Sequence, residues 1–337
     1  MPEEDHNPNA LYHLAADLFR SRSRELERAH KERQSLSRSF SHGTFSSWLY
    51  RWLRGLIAAP HTVPLGSNEP IPIPGTGECG ITFIGHATTL IRFARGRVLT
   101  DPCFARSLYS LRRARAAGLP PGALEGLDVV LISHAHADHL HRASLERLDR
   151  AVTLIVPPGC SQADGLGFQR VVELEPGASF RTSNGAIEVI AVPAHHRVGL
   201  FGRSRALGYV IRGDGPTVYF AGDTGYFSGF LDVGVRFRPD VAILPISGYR
   251  PRALRADHLS PLDALYAFED LGAHLLVPVH HSTFPLGYEP LGEPMLWLRS
   301  LTGARGMTDK VAWLDPGTSC VVRRPYASLP GGQGKPI

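Results

Sequence analysis

Four side chains able to ligate a metal stand within six residues, at His134, His136, Asp138 and His139 of the run Ser133-His134-Ala135-His136-Ala137-Asp138-His139. Imidazole and carboxylate together suit zinc and similar divalent ions. Buried without partners, such groups would be costly. The alternative is an exposed histidine-rich loop. An H-x-H-x-D-H spacing directly after an apolar run is far more specific than a lone histidine, and it argues for ligation. His134 and His136 can point at one ion, and Asp138 and His139 at its neighbour.

Three later segments offer further ligands, each after an apolar run: His195-His196, Asp223 in the turn Gly222-Asp223-Thr224-Gly225, and His280-His281. Taken singly, a histidine or aspartate at a strand end is more often a hydrogen-bonded structural residue. Taken together they complete a set. Two ions with four or five ligands each need about seven protein groups and a shared water. The first motif, one histidine from each pair and a bridging Asp223 supply that number.

These ligands need rigid supports. Short β-like runs dominate from residue 80 onward, at 81–84, 90–93, 98–99, 129–132, 154–156, 187–192, 209–211, 218–220, 241–244 and 275–279. Helical patterns cover 261–271 and 293–301, the first with Ser260 or Asp257 as a candidate cap. Glycine and proline punctuate the intervals. The expectation is an α/β layered domain, sheets at the centre and helices outside.

Residues 1–79 differ. A basic run from Arg20 to Arg38 precedes Phe45, Trp48, Leu49, Trp52, Leu53, Leu56 and Ile57, a helical face of apolar and aromatic residues with Arg51 and Arg54 opposite. Two readings compete. The favoured one packs this helix on the main domain; the sharper one lays residues 45–57 on a membrane surface. Residues 60–79, rich in proline and glycine, read as an extended connection. The expected organisation is therefore an arm and linker over 1–79 and a catalytic domain over 80–337.

The chain has 337 residues, 43% hydrophobic and 20% charged, which excludes a wholly disordered protein. No run of about 18 apolar residues is present, so no membrane-spanning helix is expected. The acidic start, Glu3-Glu4-Asp5, does not read as a secretory signal. Cys79, Cys103, Cys160 and Cys320 lack C-x-x-C spacing and read as reduced, mostly buried thiols of a cytoplasmic protein. The net charge of +5 admits anionic partners. Its arginines concentrate in the arm, and no aromatic-basic platform accompanies them, so nucleic acid is not expected. Sixteen histidines is a high number for this length, and many of them are clustered.

The chain resembles the metallo-β-lactamase superfamily, and within it the branch of N-acyl-phosphatidylethanolamine-hydrolysing phospholipase D. The likeness is carried by Gly85-His86-Ala87-Thr88, Thr100-Asp101-Pro102, the H-x-H-x-D-H run, Val192-Pro193-Ala194 and Gly222-Asp223-Thr224-Gly225-Tyr226. Pro245-Ile246 with Tyr249, His258-Leu259-Ser260-Pro261 and His280-His281-Ser282-Thr283-Phe284 complete it. The resemblance implies an αββα sandwich with a dinuclear site at one edge of the sheets.

It also chooses within the pairs. His196 and His280 fall on ligand positions, while His195 and His281 stand where the branch carries Gln and Trp. The implied ligands are His134, His136, His196 and Asp223 for one ion, and Asp138, His139, Asp223 and His280 for the other. Asp101 matches a carboxylate that orients a ligating imidazole. His86 and His258 match histidines beside the pocket. Ala137, His281 and Ser282 depart from the branch near the pocket, not among the ligands.

The implied activity is hydrolysis by a hydroxide bridging two Zn²⁺ ions, with Mn²⁺ or Fe as other candidates. Asp138 or His258 would pass a proton to the leaving group. The expected substrate is a small-molecule or lipid phosphodiester; the alternative is a lactone or other ester, and a nuclease is less favoured. A non-catalytic binding protein would usually show gaps in the ligand set, and this chain has none.

Overall fold

The computed structural model describes residues 71–160, 163–198 and 205–324, with Arg20, Ser21 and Arg24 besides. The expected amphipathic helix at 45–57 lies outside the described residues, as does the linker up to residue 70. At the described end of that linker, Ile71 packs on the domain, and its carbonyl accepts from Arg92 Nη1 at 3.1 Å.

Two sheets face each other. The first contains β1 (Glu78–Gly85), β2 (Thr88–Phe93), β3 (Gly96–Thr100), β6 (Val129–Leu131), β7 (Thr153–Val156), β8 (Arg170–Glu173) and β15 (Ser319–Arg323). Its order is β15-β1-β2-β3-β6-β7-β8. A small hairpin, β4 (Ser107–Leu108) and β5 (Leu111–Arg112), stands apart. The second sheet contains β9 (Ser179–Arg181), β10 (Glu188–Pro193), β11 (Leu207–Arg212), β12 (Val218–Phe220), β13 (Val241–Pro245) and β14 (Leu275–Val279), ordered β14-β13-β12-β11-β10-β9.

The period-2 alternation of strands sorts side chains between layers. Cys79, Ile81 and Phe83 of β1 enter the core between the sheets, where Val189, Ala191, Tyr209 and Phe220 of the second sheet meet them. Ile190, Val192, Val210 and Tyr219 face the other way, against helices. Ile84, Leu99, Val130 and Leu154 form the outer core of the first sheet with Leu140, Leu145 and Leu148. The result is the expected αββα layering.

The helix Pro261–Leu271 begins where the sequence suggests. The Ser260 side chain accepts from Asp263 N–H, Asp263 accepts in return from Ser260 N–H, and Pro261 occupies the first turn. Gly272 ends it with φ 62°, a left-handed cap. Asp257, the other candidate cap, pairs with Arg197 instead. The helix at 293–301 runs three residues further, Glu293–Ala304. A helix at Gly229–Phe237 was not expected; its glycines and β-branched residues are weak helix formers. Packing decides there, because Phe230 is fully buried against Tyr219, Tyr226 and Phe227.

β3, β6, β7 and β8 run parallel, as do β12, β13 and β14. Their carboxyl ends gather at one rim of the sandwich, where loops are free to carry function. The four cysteines form no disulfide, and Cys79, Cys103 and Cys160 are buried, as expected. Among the described residues no helix is long and apolar enough to cross a membrane.

Candidate metal centre

Both sheets deliver side chains to this rim. From the first come His86 after β1, Asp101 after β3, and Ser133 to His139 after β6. From the second come His196 after β10, Asp223 after β12, His258 before the helix Pro261–Leu271, and His280 after β14.

Two groups of donor atoms result. His134 Nε2 lies 2.9 Å from His136 Nδ1, and His196 Nε2 lies 3.1 Å from that same atom. Beside them, His139 Nε2 lies 3.3 Å from Asp138 Oδ2, and His280 Nε2 lies 3.6 Å from it. Asp223 sits between the groups. Its Oδ2 is 3.2 Å from His139 Nε2, 3.3 Å from His280 Nε2 and 4.0 Å from His134 Nε2. The donor atoms of His134, His136 and His196 fall within 4.8 Å of one another, as do those of His86, Asp138, His139 and His280.

The rear nitrogens of His134, His139 and His196 are already occupied. Asp101 Oδ2 accepts from His139 Nδ1 at 2.6 Å and from Ser133 Oγ at 2.6 Å, while its Oδ1 accepts from Ser133 N–H at 2.7 Å. Ser133 Oγ in turn accepts from His134 Nδ1 at 2.9 Å. His196 Nδ1 donates to the Asp257 carbonyl at 2.9 Å. These contacts set the tautomers and turn the opposite nitrogens into the site.

Some of the inward atoms are left without partners. His139 Nε2, Asp223 Oδ1, His258 Nδ1 and His280 Nε2 are buried with no hydrogen bond; among the described residues only Arg113 Nη1 shares that condition. Buried polar atoms are normally paired, so a convergent set of orphans calls for a partner. The donor chemistry, imidazole nitrogen and carboxylate oxygen, fits one or more divalent cations.

The electrostatics agree. Burial works against ionised Asp223, but the imidazoles of His280 and His139 outweigh it and hold its carboxyl well below the usual range. Asp138 is held low in the same manner, with His139 the strongest opposing influence. Burial, reinforced by His139, keeps His134 neutral. Burial also pushes His258 down to about 4, despite Asp223 3.6 Å away.

The paired histidines separate clearly. His195 is exposed, and its ring stands 6.0 Å from that of Phe227, while His196 reaches the cluster. His281 turns away from the site. Its Nε2 donates to the Pro278 carbonyl at 3.2 Å and its ring stacks on Phe83 at 5.2 Å. His258 comes to the site's edge. His86, left open between two roles by the sequence, has Nε2 2.9 Å from Asp138 Oδ2.

Two contacts were missed by sequence reasoning. Arg197 grips the Asp257 carboxylate through both Nε and Nη2, at 3.0 and 2.6 Å, tying the His196 segment to the His258 segment. Ser247 Oγ donates to the His280 carbonyl. Nothing local in the sequence announces either pair.

A family model described as Beta-lactamase superfamily domain matches residues 96–281. A metal-dependent hydrolase of Caldivirga maquilingensis is 30% identical over 207 residues, 61% of this chain and 83% of that protein. N-acyl-phosphatidylethanolamine-hydrolyzing phospholipase D 1 of Caenorhabditis elegans is 32% identical over 248 residues, 66% of this chain and 70% of that one. Among solved structures, isothiocyanate hydrolase from Delia radicum gut bacteria superposes with a TM-score of 0.62 at 20% identity, covering 73% of this chain and 100% of that one.

Proposed function

The chain belongs to the beta-lactamase superfamily and is a metal-dependent hydrolase, and from that premise we propose that it cleaves phosphodiesters in the manner of a phospholipase D, using two divalent ions. The observation that carries the dinuclear reading is the convergence of unpartnered His139 Nε2, Asp223 Oδ1 and His280 Nε2 beside the His134, His136 and His196 nitrogens. The likeness to the phospholipase D of Caenorhabditis elegans supports the substrate class.

His134, His136 and His196 would hold the first ion, and Asp138, His139 and His280 the second. Asp223 would serve both. Zinc suits this donor set best, with Mn²⁺ or Fe as alternatives. Two such ions supply Lewis acidity and a water acidic enough to be deprotonated near neutral pH.

The chain's own groups supply the rest. Asp101 and Ser133 fix the rings of His139 and His134, so no reorganisation is needed at the moment of reaction. Asp223 and Asp138 stay ionised and neutralise cationic charge. His258 has an unpartnered nitrogen at the site's edge, which makes it the group placed to pass a proton to a leaving oxygen. Asp138 is the other candidate for that transfer, but its Oδ2 is already engaged by His86.

In this reading residues 80–337 form the hydrolase domain and residues 1–79 an arm and linker. The arm's aromatic face at 45–57 would rest on the domain or touch the inner face of a membrane.

A screen of phosphodiesters, lactones and simple esters on the metal-loaded chain, with metal content measured alongside, tests the proposal. Phosphodiester cleavage that tracks a second equivalent of metal is expected. Lactone hydrolysis with no phosphodiester cleavage would sink the substrate class, and full activity at one equivalent would sink the dinuclear reading.

A further inference from the structure

His86 occupies the tight turn between β1 and β2 at φ 59°, in the left-handed region that ordinary side chains avoid. The surrounding structure holds it there. Its N–H donates to Thr283 Oγ1 at 2.8 Å, and its carbonyl accepts from His280 N–H at 2.7 Å. Both backbone groups of His86 are therefore bonded to the segment that carries His280.

The side chain is equally engaged. It is 1% exposed. Its ring lies 4.1 Å from the His280 ring and meets Phe284 edge-on at 5.4 Å. Nε2 is 2.9 Å from Asp138 Oδ2. An ionised carboxylate only accepts, so the proton of that contact sits on His86 Nε2. That nitrogen has no lone pair left for a cation. His86 therefore differs from His139 and His280, whose Nε2 atoms are unpartnered.

We propose that His86 is the positioning residue of the second metal position, holding the Asp138 carboxylate by one oxygen so that its remaining lone pairs face the cation shared with His139 and His280. The proposal rests on the two-metal reading above. The same residue sets both sides of that position: the Asp138 carboxylate through its ring and the His280 main chain through its carbonyl. A partner behind a ligand commonly governs metal affinity by about 10- to 100-fold.

The test uses the full chain, stripped with chelator and titrated with Zn²⁺ and Co²⁺ by calorimetry and visible absorption. Three proteins are compared: wild type, His86→Leu and His86→Gln, whose amide N–H reaches about as far as Nε2. Wild type is expected to take up two resolvable equivalents. His86→Leu should keep the first unchanged and weaken the second by about 10- to 100-fold. His86→Gln should return the second to within about threefold of wild type, the rescue that distinguishes a hydrogen bond from mere packing.

Wild-type affinity for both equivalents in His86→Leu would overturn the proposal. So would equal weakening in the Leu and Gln variants, or loss of both equivalents together with a lower melting temperature of the metal-free chain. A wild-type chain that binds one equivalent or none would instead bring down the two-metal reading itself.

Discussion

Asp101 Oδ2 lies 2.6 Å from His139 Nδ1, and both residues are fully buried. The same oxygen receives the Ser133 hydroxyl, which in turn receives His134 Nδ1. One carboxylate thereby orients an imidazole in each of the two donor groups, the first directly and the second through a serine.

Replacing that carboxylate by an amide should be felt at both groups. Asp101→Asn keeps the volume but offers N–H where an acceptor is needed. Metal affinity should fall about 10- to 100-fold, measured by competition with a chromophoric chelator. An unchanged affinity would mean that packing alone orients the rings.

The ligand pairs give a sharper contrast. Purified without chelator, the chain should carry about two ions, mostly zinc, by elemental analysis. His196→Ala should lose metal and activity while His195→Ala keeps both, because only His196 enters the cluster. Asp223→Ala should abolish hydrolysis and lower metal content, since its Oδ2 lies near donors of both groups. Metal loss in His195→Ala alone would reverse the assignment of that pair.

Stability should separate from metal binding at the far layer. Phe230 is fully buried between its helix and the second sheet. Phe230→Ala should cost about 3–5 kcal/mol in urea unfolding. Its metal stoichiometry below the transition should match wild type.

Acid should destabilise the metal-free chain through its buried neutral histidines. Burial is the main influence on His281 and pushes its pKa down to about 4, from an ordinary 6.5. Between those values the unfolded chain binds the proton and the native chain does not, so stability is full above pH 6.5 and declines as pH falls toward 4. At pH 5.5 the loss from His281 is about 1 kcal/mol. His281→Phe, which can still stack on Phe83, should narrow the gap between unfolding free energies at pH 7.5 and 5.5 by that amount. A gap equal to that of wild type would contradict the assignment.

The arm invites a truncation. If the arm lies on a membrane, the chain without residues 1–57 should remain folded, bind metal and cleave a small soluble phosphodiester, but lose a salt-sensitive sedimentation with anionic vesicles that the full chain shows. Equal pelleting of both forms would remove the membrane role. An unfolded truncation would establish that the arm packs on the domain.

Much of this was legible in the residues. The ten expected strands formed because short apolar runs bounded by glycine and proline have few other ways to bury themselves. The H-x-H-x-D-H run announced its chemistry because its donors are neighbours in sequence. What escaped was long-range or packing-driven. His86 and Asp138 are 52 positions apart, Arg197 and Asp257 60. The helix at Gly229–Phe237 has poor intrinsic propensity and exists because Phe230 fills a space in the neighbouring layer. The pairs His195-His196 and His280-His281 were separable only through family likeness, since which ring enters the rim depends on chain direction beyond each strand end.

The division of the donors between the two sheets has a thermodynamic side. His134, His136, Asp138 and His139 hang from the first sheet, and His196, Asp223 and His280 from the second. Ions held among them would act as a clasp across the open mouth of the sandwich, so affinity for metal becomes resistance to unfolding. Free metal at about a thousand times its dissociation constant adds about 4 kcal/mol of stability per site, much of a typical domain's margin. A shortage of metal would then deplete the protein itself as well as idle it, and its abundance would follow the supply of the ion.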